Sequence, residues 1–194
     1  MARSERRIER IRAVLRKRQP DLTVVMENIH DPHNVSAVFR SCDAVGVMQV
    51  ELLYTIEKFP RIGKKSSSSA NKWLDRRKHT SVDECYAALR REGFAIYATS
   101  LDAAAHSLYD LDLTRKVALV FGNEHRGVSD EARQKADATF MIPMVGMVQS
   151  LNISVACAVS LYEAMRQRLA RHHYDAPKLS SEELERLFHD WIKR

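Results

Sequence analysis

Three features of this 194-residue sequence predict an α/β architecture with a mainly parallel sheet. From residue 20 to residue 170, β-rich apolar runs alternate with segments of helical periodicity. The run "TVVMENI" is nearly continuous in apolar residues, as a strand buried on both faces requires. Three polar islands each follow the C-terminal end of a predicted strand, which is where open α/β sheets place their ligands.

Residues 4–18, "SERRIERIRAVLRKR", set Ile8, Ile11, Val14 and Leu15 at helical spacing with arginines around the other side. Ser4 is placed to cap this helix. Pro20 then disfavours helix at Gln19, and "TVVMENI" follows as the first strand. Beyond it the pattern predicts a helix over 34–44, a strand near 48–54, a long Ser/Lys loop, a helix over 81–92 and a strand over 94–99. A strand over 116–121, a helix over 129–136, a strand over 138–142 and a helix over 150–170 complete the alternation. After Pro177, Leu184, Leu187, Phe188, Trp191 and Ile192 recur at i, i+3, i+4, i+7 and i+8. So wide an apolar stripe has to pack on the body or on a second subunit. The expected organisation is a basic helix at 1–19, one domain at 20–170 and a helical extension at 171–194.

Hydrophobic residues make up 45% and charged residues 29% of the chain, which is globular composition rather than disorder. No apolar run approaches the ~20 residues of a membrane span, and the basic N-terminus lacks the apolar stretch of a signal peptide. A cytoplasmic protein is expected. Cys42, Cys85 and Cys157 are far apart and form no CxxC pair, so buried reduced thiols are expected and no metal site.

The formal charge of +6 is unevenly distributed. Residues 1–20 hold eight Lys/Arg and two Asp/Glu, and residues 60–78 hold seven and one, so each segment carries +6 on a body that sums to −6. Two basic segments on an acidic body are the footprint of a polyanionic partner. The plainer reading is a solvated helix face and a lysine-rich loop.

Absent motifs narrow the chemistry. There is no GxGxxG after a strand, no GxxxxGK[ST] and no HExxH, so the usual dinucleotide, P-loop and zincin sites lose their support. In the island 30–46, Asn34 is placed to cap a helix whose Val35, Val38, Phe39 and Cys42 face the core, leaving Ser36, Arg40 and Asp43 on the polar side. That directs Arg40 at solvent or a ligand, unless it pairs with Asp43. In "FGNEHRGVS", Gly122 ends a strand where backbone can approach a ligand, and Ser129 starts a helix. A turn with a cap explains Gly127 and Ser129 but gives Glu124 no task. In "IPMVGMVQSLNISVA", Ser150 and Asn152 serve either as caps of the long helix or as site residues.

Taken together and in this order, the three islands resemble the motifs of the TrmH (SpoU) family of SPOUT-class RNA ribose 2′-O-methyltransferases, across residues 20 to 170. The flanking helices resemble those of the family's tRNA-acting members, which modify a guanosine of the D-loop. The resemblance implies a C-terminal trefoil knot, a homodimer, and S-adenosylmethionine held by backbone around Thr99, Gly122, Ile142 and Leu151. It implies catalysis by Arg40, with Asn34, Glu124, Ser150 and Asn152 positioning it and the ribose. It also implies that Arg6, Arg7, Arg10, Arg18, Lys64, Lys65 and Lys72 contact the phosphates of tRNA, while no DNA or membrane partner is implied. A guanidinium with pKa above ~12 is a poor base, so Arg40 either orients the sugar or accepts a proton only in unusual surroundings. Two alternatives stand beside this reading: a ribosomal-RNA 2′-O-methyltransferase of the same family, and a catalytically idle RNA-binding protein with the same fold.

Overall fold

The computed structural model describes residues 5–61 and 70–194. The expected alternation is present: α1 (Glu5–Leu15), β1 (Leu22–Glu27), α2 (Pro32–Val45), β2 (Gln49–Leu53), β3 (Asp75–His79), α3 (Val82–Arg91) and β4 (Ala95–Thr99). It continues through β5 (His106–Ser107), β6 (Val117–Phe121), α4 (Asp130–Lys135), β7 (Ala138–Met141), α5 (Ile153–Ala170) and α6 (Ser181–Trp191). The strands form one sheet in the order β3-β2-β1-β6-β4-β7-β5, with every pairing parallel.

Two strands were not foreseen. β3, "DRRKH", lies within the expected Ser/Lys loop, because an edge strand made of charged residues carries no apolar signal. β5 spans two residues, too few for any period.

All six residues of β1 are buried, as its sequence requires. One face of the sheet meets α2 and α5 through Val24, Met26, Val35, Phe39, Leu161 and Ala164. The other meets α3 and α4 through Val25, Ile96, Val120, Leu89 and Ala132. Ile11, Leu15, Leu187, Phe188 and Trp191 form a third cluster, so the C-terminal stripe packs on α1 within this chain. The three cysteines are free and buried, and burial pushes the Cys157 thiol well above its usual range.

The start of α2 corrects an expectation. Asp31, not Asn34, is the cap: its carboxylate accepts the His33 N–H at 2.7 Å, and Pro32 occupies the first helical position. Asn34 is thereby released for other contacts, and Ser36, expected on the polar side, is 2% exposed. The helix ends at Gly46 with φ 88°, and a Cβ there would meet the Lys17 carbonyl at 2.7 Å.

Helix α5 is fixed at its far end by a fully buried arginine. Arg168 donates to Asp21 Oδ1 at 2.6 Å, to Gln19 Oε1 at 3.0 Å and to the carbonyls of Asp21, Leu113 and Arg115. A buried guanidinium is tolerated because its donors are matched by a carboxylate and carbonyls. The helix is thus tied to the starts of β1 and β6, which sets the position of its N-terminus at the opposite end.

Candidate functional site

The segments that follow β1, β2, β6 and β7 are joined into one polar assembly, beginning with Asn28. This residue adopts φ 51°, the left-handed region that asparagine tolerates best after glycine. There its Oδ1 accepts the N–H groups of Thr55, Ile56 and Glu57 at 3.0, 3.0 and 3.2 Å. Its own carbonyl accepts Asn123 Nδ2 at 2.8 Å. Asn123 Oδ1 in turn accepts the N–H groups of His125 and Arg126, and Arg126 Nη2 donates to Glu57 Oε1 at 2.7 Å. The hydrogen bonds close a ring from Asn28 through the 55–57 turn, Glu57, Arg126 and Asn123 back to Asn28. The segment 123–127 is folded on itself by reciprocal backbone bonds between Asn123 and Gly127 at 2.9 Å. A Cβ on Gly122 would lie 2.1 Å from the Gly127 carbonyl carbon and oxygen, so only glycine permits this approach.

This frame holds Glu124, and the task missing from the sequence becomes visible. Its Oε1 accepts Asn34 Nδ2 at 2.9 Å and the Asp31 N–H at 3.1 Å, and its Oε2 accepts the His30 N–H at 3.2 Å. Partial burial pushes the carboxyl pKa up, but the bonds from Asn34 and the backbone outweigh it and leave Glu124 below the ordinary carboxylate value. Asn34, 7% exposed, continues the chain by accepting Asn152 Nδ2 at 3.1 Å on its own Oδ1. Asn152 is also the cap of α5, its Oδ1 accepting the Ser154 N–H at 2.9 Å. One side chain both caps α5 and bonds to Asn34. Glu124, Asn34 and Asn152 thus link all three polar islands.

Beside this chain lies a cavity of about 560 Å³, within the ~300–1,000 Å³ usual for small-molecule sites. Thr99, Gly122, Ile142 and Leu151 all line it, as do Glu124, Ser150 and Asn152. Its walls are apolar at Leu101, Phe140, Ile142, Met144 and Leu151, and carboxylates stand at Asp102 and Glu124. A larger hollow, of about 750 Å³, lies at the opposite ends of β4 and β7 against Phe94, Ala95 and Asp137, away from every predicted site residue.

Arg40 stands apart. It is exposed, does not line the cavity, and has no hydrogen bond or ion pair among the described residues. Asp43, its possible partner, is held by Arg18 at 2.5 Å. Six residues beyond Asn34, Arg40 sits about 9 Å further along α2. Neither Asn34 nor Glu124 is hydrogen-bonded to it.

Arg6, Arg7, Arg10 and Lys72 are exposed, and Lys64 and Lys65 lie outside the described residues. Arg18 overturns its expectation. It is 1% exposed, donates to the Val47 carbonyl at 2.7 Å and to Asp43, and lies 4.9 Å over the Trp191 ring. It holds the α1–α6 cluster to the body and offers nothing to a phosphate. Sequence reasoning placed it outside because helical periodicity was extended to residue 18, whereas α1 ends at Leu15.

Among the described residues, Glu51, His79 and Cys85 bring possible metal ligands within 4.8 Å of one another. Arg77 already occupies both Glu51 oxygens, at 2.8 and 3.0 Å, and burial raises the Cys85 thiol far above its ordinary value. A guanidinium in contact with the carboxylate and a neutral thiol disfavour a cation there.

The sequence matches the SpoU rRNA methylase family over residues 21–162. The chain belongs to that family. It is 46% identical over 192 residues to the tRNA (guanosine(18)-2′-O)-methyltransferase of Thermus thermophilus, covering 99% of this chain and 98% of that one. Among solved structures, this SpoU-family chain is similar to the A. aeolicus TrmH/SpoU tRNA modifying enzyme, with TM-score 0.90, 40% identity and coverage of 96% and 95% of the two chains. It is also similar to the SpoU methyltransferase AviRb from Streptomyces viridochromogenes in complex with the cofactor AdoMet, with TM-score 0.69, 28% identity and coverage of 88% and 66%.

Proposed function

We propose that this protein transfers the methyl group of S-adenosylmethionine to the ribose 2′-hydroxyl of guanosine 18 in the D-loop of tRNA. The observation that carries the reading is that the second and third islands line one cavity while Asn34 of the first is bonded to Glu124 and Asn152 at its edge, in a chain 46% identical over nearly its full length to an enzyme named for that reaction. The cavity suits the donor. Leu101, Ile142 and Leu151 offer apolar surface to an adenine, Gly122 lets backbone approach closely, and the Glu124 carboxylate complements a cationic sulfonium, Asp102 being already paired with Arg133 at 3.1 Å. When bound there, S-adenosylmethionine supplies a methyl group already activated toward nucleophiles.

The protein's remaining work is to align the ribose and deal with the hydroxyl proton. Asn34, locked between Glu124 and Asn152, orders the rim over which the ribose enters. Ser150, exposed on that rim, hydrogen-bonds the sugar. Arg40, exposed and unpaired, is free to bind the phosphate beside the target nucleotide and orient the 2′-hydroxyl.

Helix α1, as a docking element, presents Arg6, Arg7 and Arg10 to phosphates, with Lys64, Lys65 and Lys72 as further contacts and the C-terminal extension as its support. The sheet order β6-β4-β7, in which later strands flank an earlier one, suits a chain threaded into a trefoil knot. Helix α5 buries Cys157, Leu161 and Ala164 on one face yet leaves Val155, Tyr162 and Leu169 exposed on another, as are Val145, Met147 and Val148 in the loop before it. An apolar face of that kind supports a homodimer through α5. No described helix is long and apolar enough to cross a membrane, and a cytoplasmic location fits a tRNA substrate.

Incubation with methyl-labelled S-adenosylmethionine and unmodified total tRNA or ribosomal RNA, followed by nucleoside mapping, tests the reading. Label in 2′-O-methylguanosine of the tRNA D-loop supports it, whereas label only in ribosomal RNA, or none, overturns it.

A further inference from the structure

Strand β3 forms one edge of the sheet and carries three successive cations, Arg76, Arg77 and Lys78, which the fold treats differently. Arg77 points to the α3 side, where Glu51 and Glu92 neutralise it. Arg76 and Lys78 are exposed, and neither has a hydrogen bond or ion pair among the described residues. The parallel register pairs Arg76 with Val50 and Lys78 with Leu52, both of which pack under α2. Registered neighbours share a face, so the two free cations project on the α2 side, the side that also carries Arg40. The 3₁₀ turn Ala70–Lys72 packs against α2 there, with Lys72 exposed. The one acid of the strand, Asp75, is held by Arg194, which also donates to the Lys72 carbonyl at 2.5 Å. Arg194, just beyond α6, thus pairs with the strand's own acid.

We propose that Arg76 and Lys78 form a phosphate-binding strip along the edge strand, guiding the RNA backbone between the α1 cations and Arg40. The proposal rests on the RNA reading above and extends it to two residues of the basic segment 60–78 that the family resemblance did not name. Residues i and i+2 of a strand lie about 6.6 Å apart, close to the step between successive phosphates of one nucleic-acid strand. Charges on an edge strand also guard against edge-to-edge pairing, but either sign serves that purpose. Here the free charges have one sign and the acid is neutralised, which suits a polyanion.

The test measures binding of labelled, unmodified tRNA by fluorescence anisotropy from about 50 to about 200 mM salt. The double variant Arg76→Ala/Lys78→Ala is expected to bind about tenfold more weakly at the low-salt end, as loss of two exposed ion pairs implies. Its log–log salt slope should be shallower by about 1.8, or 0.9 for each phosphate no longer neutralised. Calorimetric affinity for S-adenosylhomocysteine and the denaturation midpoint should not change, because both side chains lie outside the cavity and the core. The charge-preserving Arg76→Lys/Lys78→Arg variant should keep the wild-type slope. A steep wild-type response that the double alanine variant retains overturns the strip alone. Self-association of that variant with its slope intact overturns it in favour of edge protection. A wild-type response that ignores salt removes the RNA reading and the strip with it.

Discussion

Asn34→Asp replaces one atom and inverts the physics of the Glu124–Asn34 contact. In the wild type the amide donates to Glu124 at 2.9 Å; in the variant two carboxylates meet at that distance. At an effective dielectric constant of about 20, two unit charges so close repel by about 6 kcal/mol. The pair escapes by binding one proton, which costs a carboxyl of ordinary pKa about 4 kcal/mol at pH 7, and this sets the ceiling on destabilisation. Water at the half-buried Glu124 screens the repulsion further, so a loss of about 2–4 kcal/mol is expected at pH 7. The pH dependence is the sharper signature. Folded Asn34→Asp retains a proton that the unfolded chain releases above about pH 4, so its stability falls with rising pH by up to ~1.4 kcal/mol per unit. Wild-type Glu124 behaves oppositely. Its folded pKa is depressed, so its contribution is present above the ordinary carboxylate pKa and is lost as pH falls through the folded value. Near pH 4 the protonated carboxyl introduced at position 34 donates as the amide did, and the two proteins should converge. Urea unfolding from pH 4 to pH 8 measures the difference, and a gap that does not vary with pH would refute the contact and the reasoning built on it.

Four further outcomes follow from the same geometry. Gly122→Ala forces a Cβ to within 2.1 Å of Gly127, so the 123–127 segment must open, and S-adenosylhomocysteine affinity measured by calorimetry should fall at least about tenfold, equivalent to ~1.4 kcal/mol. Arg18→Ala should cost about 3 kcal/mol in urea unfolding, because it strips Asp43 and the Val47 carbonyl of a buried partner, while leaving the salt slope of tRNA binding unchanged; Arg6→Ala/Arg7→Ala/Arg10→Ala should show the reverse, a slope shallower by about 2.7 with stability within ~0.5 kcal/mol. Arg40→Lys should lower kcat by at least about a hundredfold with KM for tRNA within a few-fold, since Lys keeps the charge but not the fixed fork, and near-normal turnover would show that guanidinium geometry does not matter.

How far the sequence could be read depended on the kind of signal each residue carried. α2 and α6 announced themselves through apolar period and β1 and α5 through apolar runs, and the predicted ends of β1, α2 and α5 were displaced by only a few residues. β3 was invisible because its outward residues are charged and its inward partners, Arg77 and His79, meet Glu51 rather than oil. Of the residues that line the cavity, Gly122, Glu124, Ser150 and Asn152 stood out in two of the polar islands, whereas Thr99, Ile142 and Leu151 came from the family resemblance alone. The frame that holds them was not foreseen. Asn28 acts through a left-handed backbone and four hydrogen bonds of its side chain to the 55–57 turn, and nothing in "MENIH" distinguishes that from an ordinary strand end. Arg18 failed for a related reason: burial of an arginine depends on tertiary partners, here Asp43 and Val47, that no local window contains.

The claim on which the account turns is that the accepting atom is a ribose oxygen rather than a base atom. A full-length tRNA carrying 2′-deoxyguanosine at position 18 and no other change tests it directly, in single-turnover transfer of labelled methyl from S-adenosylmethionine. The account predicts binding within a few-fold of the all-ribose tRNA and no label incorporated. Continued methylation of the deoxy substrate at that nucleotide would contradict it.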